Sequence, residues 1–121
     1  MINGGNATIF VSDMDRAVDF YTNVLGLKLR MRAENFWAEV QAGSDMVIGL
    51  HPRSENALPP GTEGCIHLGF TVSEDLEELE KRLAGHHVKF SGPIKDDGPG
   101  RFAEIRDFDG NRIYFWETRA E

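Results

Sequence analysis

Residues 37–50, WAEVQAGSDMVIGL, and residues 102–115, FAEIRDFDGNRIYF, are two versions of one pattern. A shift of 65 positions lays Ala38 on Ala103, Glu39 on Glu104, Val40 on Ile105 and Ile48 on Ile113. Each copy alternates apolar and polar residues, turns, and alternates again, which is how a β-hairpin reads. The turns, AGSD and DFDGN, hold the Gly, Asp, Ser and Asn that tight turns select. A chain that repeats a hairpin invites a search for the rest of the repeat.

The stretches upstream match at an offset of 61: NATIFV at 6–11 and HLGFTV at 67–72, both strand-like. A helix should follow each. The first is expected from a Ser12–Asp13 cap, with Met14, Ala17, Val18, Tyr21, Val24 and Leu25 at helical spacing, ending at Gly26. The second is expected from Ser73, with Leu76, Leu79 and Leu83 on one face, ending at Gly85. Short strands come next, LKLRMR at 27–32 and VKF at 88–90. Between the halves lies PRSENALPPGTEG, which carries three of the five prolines and reads as a linker. The predicted fold is α+β. Two tandem βαβββ modules (about 5–51 and 65–118, linker 52–64) form curved mixed sheets around a cleft, helices on the convex side.

Composition narrows the function classes. The 121 residues suit one domain, and 40% hydrophobic with 27% charged residues is ordinary for a packed protein. With 13 basic and 20 acidic residues the net charge is −7, and no Lys/Arg cluster offers a nucleic-acid face. No run approaches the ~20 apolar residues of a membrane span. The opening MINGGNATIF has neither the basic start nor the apolar stretch of a secretion signal. Cys65 is the sole cysteine, so no internal disulfide forms, in keeping with an expected cytoplasmic setting.

Strand alternation assigns the faces. Ala7, Ile9, Val11, Met46, Ile48, Leu50, Ile66, Leu68, Phe70, Val72, Ile113 and Phe115 should pack under the helices. The other face then shows Asn6, Thr8, Phe10, Val47, Gly49 and His51 from the first half, joined by Trp37, Glu39 and Gln41. From the second half it shows His67, Gly69, Thr71, Phe102, Glu104, Arg106, Tyr114 and Trp116. Aromatics mixed with a few titratable groups suit a pocket for a small, partly apolar ligand. The alternative is that a second subunit covers part of this face.

VSDMDRAVDFYTNVLGLKL (11–29) and RDFDGNRIYFWE (106–117) resemble the vicinal oxygen chelate superfamily of glyoxalase I, bleomycin- and fosfomycin-resistance proteins and extradiol dioxygenases. The likeness spans nearly the whole chain. Phe108 stands where the family's D-P-D-G-N turn has proline, while Asp107, Asp109, Gly110 and Asn111 are kept. Metal-dependent members hold a divalent ion at four strand positions, two per module, usually His or Glu. Those positions fall here on Asn6, Gly49, His67 and Tyr114, so only His67 matches. The resemblance therefore implies a lost metal site and no cofactor. A rearranged divalent-metal site, with His51, His67, Glu39 and Glu104 converging, is the other reading.

The candidates follow from this face. His67 is a general base or a relict ligand merely hydrogen-bonded. Glu39 and Glu104 are an acid–base pair sharing a pocket, or Glu104 pairs with Arg106 or a subunit neighbour. Asn6, Phe10, Trp37, His51, Phe102, Tyr114 and Trp116 bind ligand, or pack in a core or dimer contact. The leading expectation is a metal-free, small-molecule-binding homodimer similar to bleomycin-resistance proteins. The rival is an enzyme. It would be a glyoxalase-like lyase or isomerase, or a dioxygenase, with a rearranged metal site, or a metal-free catalyst using His67 with Glu39 or Glu104. A structural module with its cleft filled by side chains is a third alternative.

Overall fold

The computed structural model describes residues 1–118. The first module runs β1 (Ala7–Val11), α1 (Met14–Asp19), β2 (Lys28–Ala33), β3 (Trp37–Ala42) and β4 (Met46–Pro52). The second runs β5 (His67–Val72), α2 (Leu76–Ala84), β6 (Lys95–Asp96), β7 (Gly100–Arg106) and β8 (Arg112–Thr118). Each module makes its own four-stranded mixed sheet, β1-β4-β3-β2 and β5-β8-β7-β6, with the first pair parallel and the rest antiparallel. The sequence repeat survives as register: Thr8 lies opposite Gly49 in the first sheet, and Gly69 opposite Tyr114 in the second. Both offsets, 61 and 65, are thus kept in space.

One continuous core joins the modules, drawing Ile9, Val11, Ile48 and Leu50 together with Leu68, Phe70, Ile113 and Phe115. Ala7 departs from the expected set. It is exposed, because the strand begins there with little above it. α1 is capped as expected, with the Asp13 side chain accepting from the Arg16 N–H at 3.1 Å. Its neighbour Ser12 turns to the other module and donates from both N–H and hydroxyl to Asp109. After one and a half turns α1 widens into a π turn, Phe20–Val24, closed by Leu25 N–H to the Phe20 carbonyl.

Two expectations shift. The second helix begins at Leu76 rather than Ser73; its first N–H is accepted by Glu117 on β8 at 2.7 Å, so a strand side chain supplies the cap. The helix ends at Gly85 as expected, and the left-handed residue beyond it is His87 (φ 63°). The short strand of the second module is Lys95–Asp96, not Val88–Phe90. Residues 88–90 lead into Ser91, which makes one bond to the Glu104 carbonyl at 2.7 Å. Pro93 then has no N–H to extend a ladder, and pairing resumes only opposite Arg101 and Phe102.

The modules are tied at two corresponding places. At one, the buried Tyr21 hydroxyl donates to Asp107 at 2.7 Å across the interface, and the Arg16 guanidinium lies 4.8 Å from the Phe108 ring centre. Phe108, where the resembling family has proline, thereby gains a cation–π partner. At the other, the end of β5 faces the β3–β4 turn across a cavity of about 180 Å³, lined among others by Leu27, Ala42, Phe70, Val72 and Leu79. None of the described helices is long and apolar enough to cross a membrane.

Burial and the neighbouring Asp107 push the Tyr21 phenol well above its ordinary value. The folded chain therefore keeps that proton when the unfolded chain releases it. This contribution is present below about pH 10 and is lost as pH rises beyond that. Tyr21→Phe should cost about 1.5–3 kcal/mol at neutral pH, the range for a hydrogen bond to a charged group. It should also flatten the loss of stability above pH 10, both read by urea denaturation across pH.

An opposite sign applies at Arg101, which bonds Glu77 through two nitrogens and Glu117 through two. Those bonds hold Glu117 below the usual carboxylate range and Glu77 down to about 2. The stabilisation is complete above about pH 4.5 and falls away toward pH 2. Arg101→Gln should flatten that acid limb, and added salt should weaken the difference because the network faces solvent.

Candidate functional site

Each sheet turns one face to the shared core and leaves the other open, and the alternation of the strands decides which side chains stand on the open face. On the first sheet, the Trp37 ring from β3 lies across Gly49 of β4. A Cβ added at Gly49 would overlap that ring. The absence of a Cβ at Gly49 is therefore what gives the indole its room against the strand. The Trp37 N–H donates to Glu39 at 2.9 Å, and Glu39 in turn sits 3.7 Å from Arg30. His51 stands beside them, 6.3 Å from the Trp37 ring and 5.1 Å from Phe10, both measured between centroids. Its Nδ1 lies 2.7 Å from the Pro52 carbonyl. Asn6 is exposed just before β1, its side-chain oxygen accepting from the Thr8 hydroxyl at 3.1 Å.

The second sheet builds the same arrangement from different strands. Tyr114 of β8 lies over Gly69 of β5, where a Cβ would again overlap the ring, and Trp116 lies over Gly100. His67 meets Tyr114 edge-on, centroids 5.0 Å apart and planes at 67°. Its Nε2 lies 3.1 Å from Glu104 Oε1, and Arg112 Nη2 donates to that same oxygen at 2.8 Å. His67, Glu104, Phe102, Tyr114 and Trp116 line an open cavity of about 290 Å³, together with Asp97 from the loop after β6. Lys95 reaches to 5.9 Å above the Phe102 ring.

The residues singled out from sequence are thus brought together in two groups rather than one. Trp37, Glu39, His51 and Phe10 share the first face, and His67, Glu104, Phe102, Tyr114 and Trp116 share the second. Glu39 and Glu104 do not form a carboxylate pair, since each belongs to its own sheet and is held by its own arginine. Within one copy of the chain His51 and Glu39 stand on one sheet and His67 and Glu104 on the other, so the four do not converge there. No group of three or more His, Cys, Asp or Glu among the described residues is placed to hold one metal ion. Nor do the four family positions fit a divalent ion. Gly49 has no donor and its space is taken by Trp37, and Tyr114 is spent on covering Gly69. Asn6 is engaged with Thr8, which leaves His67 alone.

Sequence reasoning expected Arg106 as the partner of Glu104, but Arg106 pairs with Glu63 from the linker at 2.7 Å. The residue missed was Arg112. Its parity with Tyr114 and Trp116, two and four residues on, was the available signal, because alternate residues of one strand share a face. Asp97 had no comparable signal, since loop residues follow no period. Arg30 was missed for a related reason, because the pairing of β2 with β3 shifts between Leu29 and Met31 and breaks the alternation there.

Comparison with known proteins accords with this geometry. The chain is 31% identical over 107 residues to a glutathione transferase FosA of Serratia marcescens, covering 88% of this chain and 74% of that protein. It is 30% identical over 122 residues to a lactoylglutathione lyase of Escherichia coli O157:H7, covering 90% and 87%. Among solved structures it superposes on TnmS3, an antibiotic binding protein from Streptomyces sp. CB03234. The TM-score is 0.81 at 27% identity, over 98% of both chains. The family model described as Glyoxalase/Bleomycin resistance protein/Dioxygenase superfamily matches residues 5–115. With two βαβββ modules in matching register and a family model spanning nearly its whole length, the chain belongs to the glyoxalase/bleomycin resistance protein/dioxygenase superfamily.

Proposed function

We propose that this protein binds a small, planar aromatic molecule without a metal ion, in clefts completed by a second copy of the chain. The observation that carries the reading is the laying of aromatic rings over strand glycines: Trp37 on Gly49, Tyr114 on Gly69, Trp116 on Gly100. Aromatic rings seated on an open sheet face can stack on a planar ligand, worth ~0.5–1.5 kcal/mol per pair beyond area burial. The likeness to an antibiotic binding protein supports a sequestering role of this kind.

Each open face is only half of such a site. His67, facing the cavity of the second sheet, keeps 47% of its side-chain surface exposed, and that cavity is lined by second-module residues alone. Bringing the first-module face of one copy over the second-module face of another would enclose a ligand between Trp37 and Tyr114. This arrangement also gives the open faces a partner, as the apolar rings on them require.

A second reading is metal-free proton transfer, supported by the His67–Glu104 contact at 3.1 Å. In that case the imidazole takes a proton from bound substrate while Glu104 orients the ring. Recovery of bound ligand chemically unchanged separates binding from this catalysis.

A mixed dimer tests the shared site. Trp37→Ala and His67→Ala each remove a side chain from every cleft of their own homodimer. If clefts form across copies, mixing the two variants yields heterodimers with one doubly altered and one intact cleft. About half of the wild-type binding capacity per heterodimer should return, read by fluorescence quenching with an aromatic probe. Clefts built within one chain would leave every cleft altered, and no capacity would return.

Protein purified without chelator should carry well under one equivalent of Ni²⁺, Zn²⁺, Mn²⁺ or Fe²⁺ by elemental analysis. Stoichiometric metal lost in His67→Ala would overturn the metal-free reading.

A further inference from the structure

The chemistry of the ligand can be narrowed further, on the basis of the aromatic-cleft reading above. A neutral imidazole holds one proton, and the hydrogen bond made by one nitrogen decides what the other presents. On the first sheet, Nδ1 of His51 faces the Pro52 carbonyl at 2.7 Å. A carbonyl oxygen only accepts, so Nδ1 carries the proton. On the second sheet, Nε2 of His67 faces Glu104 Oε1 at 3.1 Å, the oxygen that already accepts from Arg112. With a guanidinium on the same oxygen the carboxylate acts as acceptor, so Nε2 carries the proton there.

The two rings therefore present opposite nitrogens and the same chemistry. Nε2 of His51 and Nδ1 of His67 keep their lone pairs, and neither makes a hydrogen bond to any described residue. Each stands beside a ring that lies over a glycine, Trp37 in one case and Tyr114 in the other. The indole N–H of Trp37 is meanwhile consumed by Glu39. Next to each of these stacking surfaces the protein offers an acceptor with nothing to accept.

We infer that the ligand is a planar aromatic molecule that itself bears hydrogen-bond donors, phenolic O–H or ring N–H, received by Nε2 of His51 and Nδ1 of His67. Each face contributes one aromatic surface and one acceptor. The two histidines are specificity-determining residues, discriminating a hydroxylated ring from its alkylated counterpart.

Calorimetric titration of the full chain with 2-naphthol and 2-methoxynaphthalene tests this, since the two probes share a ring system and only the first can donate. The naphthol should bind about tenfold more tightly, the scale of one net hydrogen bond. In the double variant His51→Phe, His67→Phe the ratio of the two affinities should fall to near one. Imidazole ¹⁵N shifts of the unliganded protein should show a protonated Nδ1 in His51 and a protonated Nε2 in His67. Equal affinities for the two probes in the wild type, or the opposite tautomers, overturn the inference and leave the stacking cleft standing. Failure of both probes to bind at millimolar concentration removes the aromatic-cleft reading and the inference with it.

Discussion

The carboxylate of Asp107 is buried and takes four hydrogen bonds: from the Tyr21 hydroxyl, the backbone N–H groups of Asp109 and Asn111, and the Asn111 amide. Three of these shape the β7–β8 turn and the fourth reaches into the other module. A buried carboxylate is costly unless its lone pairs are satisfied, so the turn and the module interface are stabilised by one group or fail together. The next acidic residue, Asp109, holds Ser12 at the entrance of α1. Through this turn the second module fixes where the first helix starts and how it rolls. The two sheets can then share one core while their opposite faces stay open.

The tandem architecture was legible because two independent periodicities agreed. Alternation within each hairpin set the faces, and the offsets of 61 and 65 set the register. Both reappear as the pairs Thr8 with Gly49 and Gly69 with Tyr114. What could not be read were features decided by single side chains reaching across the fold. Glu117 caps α2 from a strand 41 residues away, so the start of that helix was misplaced to Ser73. Arg112 rather than Arg106 holds Glu104, because Arg106 is drawn off by Glu63 in the linker. Residues 88–90 look strand-like, yet Pro93 removes the donor that would have continued the pairing.

The candidate site shows the same division. Which residues share a face followed from parity, and the structure groups them accordingly on each sheet. That they form two groups rather than one follows from where the sheets sit, which no local pattern encodes. The glycines at 49, 69 and 100 carry a signal visible only in hindsight. Each is a strand position where a Cβ would overlap a large neighbouring ring, and at Gly100 the Glu117 carbonyl as well.

The two modules reach this shared arrangement by different routes. The first places its ring on β3 over a glycine of β4, the second on β8 over a glycine of β5. Register and inward-facing residues are held in common, while most outward positions differ, Glu39 and Glu104 excepted. Residues that build the core and residues that face outward therefore alternate along the same strands. An outward position can be replaced without disturbing the packing beneath it. The chemistry of each open face is thus free to change one module at a time while the shared core keeps both in place.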